Sequence, residues 1–214
     1  MTIETYTNWE ELDNVLEQPL SKGSLTIFSG KTGSGKTNIL TKLTSSMLDK
    51  QIVFISFELN PETILNRIRF FVVNKKSQKE ISKHVHVESS LKFGSTVENI
   101  KEFINDYERT AKRKVDIIMV DNIDLLTAYR QTSHNASAYD PLTGFKNYLM
   151  AYNKIGFAST QTMREINNQG IINQNKPADN IFIVERDSLE YISGKGKVSS
   201  IIELTTTEEI ITAD

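Results

Sequence analysis

The chain has 214 residues, 38% of them hydrophobic and 24% charged, with a formal net charge of -2. That length suits one α/β domain with a two-faced core and is short for two. A balance so close to neutral excludes a uniformly basic nucleic-acid coat, so any such contact has to come from a local patch or a few loops. Cysteine is absent, which excludes a disulfide scaffold and a thiolate-held metal.

The first residues, Met1 to Tyr6, lack a basic segment followed by an apolar run. No apolar stretch approaches the ~20 residues of a membrane helix. The expectation is a cytoplasmic protein without membrane contact. Ile, Asn and Lys are abundant and Pro is scarce, a composition expected of an AT-rich source such as a phage.

Trp9, Leu12, Val15 and Leu16 fall at helical spacing behind Asn8 as the expected N-cap, giving a helical extension over residues 1–22. Leu25 to Ser29 reads as a buried strand, Thr37 to Leu48 as a helix, and Ile52 to Phe57 as a second strand. Asn60-Pro61-Glu62 is a helix start, with a cap, a proline at the first helical position and an acid in the first turn. That helix should run to about Val73. Asn74 to Lys83 is polar and basic and reads as a loop or a helix end, and Val85 to Val87 as a short strand.

Ser95 to Lys112 is expected to be a helix with Val97, Ile100, Ile104 and Tyr107 on one face. Val115 to Val120 is a third strand. Ala136 to Asn153 is a helix with a late start set by Pro141, and Ile155 to Thr160 a fourth strand. Arg164 to Lys176 has no apolar period and reads as a loop. Ile181 to Val184, Leu189 to Ile192 and Val198 to Leu204 read as strands of a partly antiparallel closing section. The alternation predicts one α/β domain over residues 1–214, a mostly parallel sheet with helices on both faces.

Gly30-Lys31-Thr32-Gly33-Ser34-Gly35-Lys36-Thr37 is a full Walker A phosphate loop, entered by a strand and left by a helix. Glycines let the backbone N–H groups wrap around phosphates, and the helix N-terminus favours the anion. Lys36 is placed to reach the β- and γ-phosphates and Thr37 to offer its hydroxyl to Mg²⁺. Val115 to Asp121 is an apolar strand ending in an acid, the pattern of a Walker B, with Asp121 as the second metal residue. The expected ligands are ATP and Mg²⁺.

Glu58 follows the second strand. Such an acid can polarise the attacking water, or simply favour the N-terminus of the helix starting near Asn60. Gln161 ends the fourth strand, where an amide can sense the γ-phosphate or merely face solvent. His84 and His86 sit two apart on an expected strand without an evident third ligand, and with His134 they read as structural. The basic runs Lys75 to Lys83 and Lys112 to Lys114 read as solvated faces.

The motifs together resemble one family. Gly23 to Thr37 followed by Ile55-Ser-Phe-Glu-Leu-Asn60, then Val120-Asp-Asn-Ile-Asp124, Phe157-Ala-Ser-Thr-Gln161 and Ala178 to Asp187, look like the RecA-like motor of DnaB- and Twinkle-type replicative helicases. The resemblance covers nearly the whole chain. It implies that Glu58 is the water-activating base and Gln161 the γ-phosphate sensor. It also implies that the loops near Thr127–Tyr139 and Thr162–Lys176 face single-stranded DNA, with Arg130, Arg164 and Lys176 as phosphate contacts. A homo-oligomer follows, such as a hexameric ring, or an accessory role in replication or recombination.

Two features depart from that family. The sequence contains no primase, zinc-binding or helical collar domain. The strand expected to carry a trans-acting basic pair, Ser200 to Glu209, has neither Lys nor Arg. Lys195 and Lys197, flanked by Gly194 and Gly196, are the nearest substitutes. The leading expectation is a DNA-directed ATPase. Its rivals are a RecA-like recombination mediator that anneals single strands and a KaiC-like regulatory nucleotide switch.

Overall fold

The computed structural model describes residues 5–16, 19–72, 75–89, 96–126, 140–161, 170–171, 173, 175–186, 188–192 and 198–203. In chain order these form α1 (Glu10–Asp13), β1 (Leu25–Gly30), α2 (Lys36–Ser46), β2 (Ile52–Ser56), α3 (Pro61–Phe70), α4 (Lys75–His84) and β3 (Val85–Ser89). There follow α5 (Val97–Ala111), β4 (Ile117–Asp121), a 3₁₀ turn (Ile123–Leu125), α6 (Pro141–Tyr152), β5 (Ile155–Gln161), β6 (Asn180–Val184), β7 (Ser188–Ile192) and β8 (Val198–Glu203).

Among the described residues eight strands form one sheet in the order β3-β2-β4-β5-β1-β6-β7-β8. Pairing is parallel from β3 to β6 and antiparallel between β6, β7 and β8. This is the expected mixed α/β architecture, and its two-sided burial explains the continuous apolar runs of the central strands. Side chains alternate between two cores. Phe28, Ile52, Phe54, Ile117, Met119, Ile155 and Phe157 face a layer built with α2, α3 and α4. Leu25, Ile27, Val53, Ile55, Ile118, Val120 and Ala158 face a layer built with α5 and α6.

The capping chemistry behaves as read at α3, where the Asn60 side chain accepts from the Thr63 N–H at 2.9 Å behind Pro61. The N-terminal stretch departs from expectation. Its helix is a single turn, and Asn8 does not cap it: Asn8 has φ 57°, and the N-cap position belongs to Trp9, which makes no side-chain cap. Asn8 instead donates to the Ser46 carbonyl at the end of α2. Trp9 and Leu12 are buried against that same layer, and the Lys42 ammonium sits 3.9 Å above the Trp9 ring. The 74–83 stretch is a second departure. It contains α4, a mostly polar helix that anchors itself through the buried Ile81 and pairs Glu80 with Lys83 and His84. One apolar residue in ten leaves too little periodicity to read as a helix from sequence.

Candidate functional site

The site stands at the C-terminal edge of the central strands, where β1, β4 and β5 end together. Three backbone features make the loop after β1. A Cβ on Gly30 would lie 2.4 Å from the Val184 carbonyl oxygen and 2.6 Å from Ser34 Oγ, so only glycine lets β6 and the loop close on this strand end. Gly33 and Gly35 have φ of 78° and 99°, left-handed values that disfavour other residues. No side chain caps α2 at Gly35, so its first N–H groups remain available to an anion.

Lys36 folds back into this loop and donates to the carbonyls of Gly30 and Lys31, both at 2.8 Å. Burial lowers its ammonium below the usual range, while Glu58, Asp121 and Asp124 oppose that shift. Lys31 and Thr32 are exposed on the loop, and the Ser34 hydroxyl is buried beneath it without a hydrogen-bond partner.

Thr37 donates its hydroxyl to Asp121 Oδ2 at 2.7 Å, and Ser159 donates to Asp121 Oδ1. Asp121 is 1% exposed. Its carboxyl is pushed above the usual range mainly by burial, with Glu58 adding to the shift and the two hydroxyls and Lys36 opposing it. No ion pair to Asp121 exists among the described residues, so a buried carboxylate sits beside a hydroxyl with no cation in contact. That donor set, a carboxylate and an alcohol oxygen at the edge of a phosphate loop, fits the hard, oxygen-seeking Mg²⁺.

Glu58 lies two residues past β2 and lines the same pocket as Lys36, Thr37, Asp121 and Gln161. The ladder between β2 and β4 is extended by Phe57 N–H donating to the Asp121 carbonyl at 2.6 Å, which fixes the turn carrying Glu58. The Asn122 amide donates to Glu58 Oε1 at 3.3 Å. Gln161 ends β5, level with Gly30, and its amide donates to the Thr32 hydroxyl at 2.7 Å. Thus the residues singled out by sequence at four strand ends converge on one pocket.

Three participants escape a reading by motif. Arg67 on α3 lines the pocket and donates to Asn38 Oδ1 on α2 at 3.1 Å; a single arginine on an amphipathic helix looks like a solvated face. Asn122 and Asp124 lie just past the Walker B strand, where polar residues look like an ordinary turn. Of the expected DNA contacts, Lys176 is exposed on the turn before β6 and is not among the pocket residues, and Arg130 and Arg164 lie outside the described residues. Among the described residues no cluster of three His, Asp or Glu side chains suits a metal. His86 instead packs against Phe103 and Tyr107, and His84 meets Gln51 and Glu80. His134 lies outside the described residues. No helix among them is long and apolar enough to cross a membrane.

A search of curated proteins finds no match in sequence. A solved structure described as an ATPase domain, that of a DnaB-like helicase, superposes with a TM-score of 0.72 at 17% identity, covering 97% of this chain and 89% of that one, a likeness of fold. The family model described as "ATPase: KaiC" matches residues 5–191, from the N-terminal stretch through the phosphate loop and the convergent strand ends to β7. The chain therefore belongs to the KaiC-type ATPases and is a P-loop NTP-hydrolysing enzyme with a RecA-like core.

Proposed function

We propose that this ATPase is directed by single-stranded DNA and acts in replication or recombination as a helicase-like motor. The observation that carries the reading is the position of Gln161. Its amide meets the phosphate loop at Thr32, and its main chain leads directly into 162–176, the segment holding Arg164 and Lys176. A change at the γ-phosphate is therefore one residue away from the proposed DNA contacts.

The pocket residues have separable tasks. The N–H groups of Gly30 to Thr37 and the Lys36 ammonium hold the triphosphate. Thr37 and Asp121 hold Mg²⁺, which when bound neutralises phosphate charge. Glu58 accepts the proton of the water that attacks the γ-phosphorus as the bond from that phosphorus to the β–γ bridging oxygen breaks. Asn122 orients the Glu58 carboxylate through the 3.3 Å contact. Gln161 reads the presence of the γ-phosphate. A homo-oligomer, such as a ring, would set the DNA segments of several copies around one strand.

ATP turnover with and without single-stranded DNA at several salt concentrations tests the reading. The expected result is stimulated turnover, with log affinity for DNA falling by ~0.7 per phosphate contact per log unit of salt. Neutralising Arg164 and Lys176 together should flatten that slope. Belonging to the KaiC-type family favours a second reading, a regulatory switch that binds protein. Turnover indifferent to DNA, and no DNA binding at low salt with a non-hydrolysable triphosphate, would select that alternative.

A further inference from the structure

The ladder between β4 and β5 runs only as far as Val120 opposite Ala158, whereas β5 continues beside β1 to Gln161 opposite Gly30. On its β4 side the last stretch of β5 is held by a side chain. Asp124, in the 3₁₀ turn after β4, accepts the Thr160 hydroxyl on Oδ1 at 2.9 Å and the Gln161 backbone N–H on Oδ2 at 2.5 Å. Asp124 is itself fixed, because its N–H donates to Asn122 Oδ1 at 2.8 Å, and the Asn122 amide donates to Glu58. A continuous chain of polar contacts therefore follows the rim of the pocket from Glu58 through Asn122, Asp124 and Gln161 to Thr32.

We propose that Asp124 is the positioning residue for Gln161. By holding the Thr160 hydroxyl and the Gln161 N–H with one carboxylate, it fixes the strand end from which the Gln161 amide reaches the phosphate loop. The inference rests on Gln161 reading the γ-phosphate and adds the group that makes that reading possible. A carboxylate suits the task because it accepts two donors at once and makes stronger hydrogen bonds than a neutral acceptor. The same residue also borders a second cavity, lined by Ile123, Leu126, Leu142, Thr160 and Asn175 among others. Asp124 thus stands in the wall between the nucleotide pocket and the neighbouring end of the sheet, and a movement of either side is felt by the Gln161 backbone.

The test is the ratio of affinities of the full chain for a fluorescent non-hydrolysable triphosphate and for the matching diphosphate. It is measured in wild type, Asp124→Ala, Asp124→Asn, Gln161→Ala and the double variant Asp124→Ala with Gln161→Ala. Losing a charge-assisted contact to the sensor predicts a fall of about tenfold in triphosphate preference for Asp124→Ala, with diphosphate affinity unchanged. Asp124→Asn keeps one acceptor oxygen and should be intermediate, with an unfolding temperature close to wild type. The double variant should show no more loss than Gln161→Ala alone, because both changes break one device.

If Gln161→Ala loses the preference while neither Asp124 variant does, the positioning role is overturned and the sensor stands. Additive losses in the double variant, or equal losses for both nucleotides, would also overturn it, because they indicate an independent contact or a general loss of structure. If Gln161→Ala itself leaves the preference intact, the sensor reading fails and this inference fails with it.

Discussion

Burial pushes the Lys36 ammonium below its usual range, while Glu58, Asp121 and Asp124 pull it back up. Those acids surround the place where a triphosphate would bring further negative charge, so the pocket depends on its few cations. Lys36→Ala should abolish tight triphosphate binding, measured by titration of a labelled nucleotide. Glu58→Gln should bind as wild type and lose ~10²–10⁴ in turnover, because an amide cannot accept the proton from water. Equal turnover would leave Glu58 as no more than a helix-terminus acid. Asp121→Asn should shift the magnesium titration to higher concentration, and an unchanged titration would make Asp121 structural. These three residues were legible because a phosphate loop and an acid at a strand end have fixed spacing and a fixed place in an α/β sheet. Asn122, Asp124 and Arg67 were not legible. Their roles depend on where a neighbouring strand stops or a neighbouring helix passes, and nothing local in the sequence encodes that.

The helices and strands that carry the site are tied together at the opposite end of the sheet. Lys154, just before β5, donates to Glu108 of α5 and to the Val115 carbonyl before β4 at 2.6 Å. Glu108 also accepts from Lys114 at 2.9 Å and from the Val115 N–H at 2.8 Å. Both Glu108 and Lys154 are buried or nearly so, at 10% and 8% side-chain exposure, so their charges are satisfied by each other and by backbone rather than by water. Burial would raise the Glu108 carboxyl, but the hydrogen bonds from Lys154, Lys114 and Val115 outweigh it and hold it below the usual range. A depressed acid contributes stability that is present above the ordinary carboxylate range and is lost as pH falls through its lower folded value. Glu108→Gln should therefore cost ~3 kcal/mol at pH 7, the magnitude typical of an orphaned buried partner. The gap to wild type should narrow below about pH 4, where free carboxylates protonate. Denaturant melts at the two pH values check this, and an equal gap at both would reduce the network to packing. The strands it joins were visible as apolar runs. The network was not, because Lys112 to Lys114 and the helix-borne acids look like ordinary solvated charge.

Across the whole molecule, the sheet topology constrains where a second cation for phosphoryl transfer can originate. Charge develops on the γ-phosphoryl oxygens during transfer, and a cation supplied from outside the P-loop is worth ~10³–10⁵ in rate in other P-loop hydrolases. Arg67 is the one arginine lining the pocket among the described residues, and β8, Val198 to Glu203, carries neither Lys nor Arg. Lys195 and Lys197 fall between β7 and β8, outside the described residues, but the strands flanking them are informative. Ile192, the last residue of β7, pairs with Val198 and with Ile181, and Ile181 pairs with Ile27. The hairpin thus turns beyond the end of the sheet where β1 begins, away from Gly30 and its phosphate loop, and it does so two strands from β1, roughly 10 Å sideways. On this geometry the two lysines leave their own sheet on the wrong side for their own nucleotide, so a phosphate they meet belongs to another copy. We therefore expect the isolated chain to hydrolyse ATP slowly and to reach full activity only on assembly, or with a partner that brings an arginine. Turnover measured against protein concentration, for wild type and for Lys195→Ala with Lys197→Ala, tests this. Specific activity should rise with concentration in wild type and stay flat in the double variant. Fast turnover in a sample shown to be monomeric by light scattering would rule the idea out. A rise that survives both alanines would keep the activation in trans and move its donor elsewhere, with Arg67→Ala as the next variant to measure.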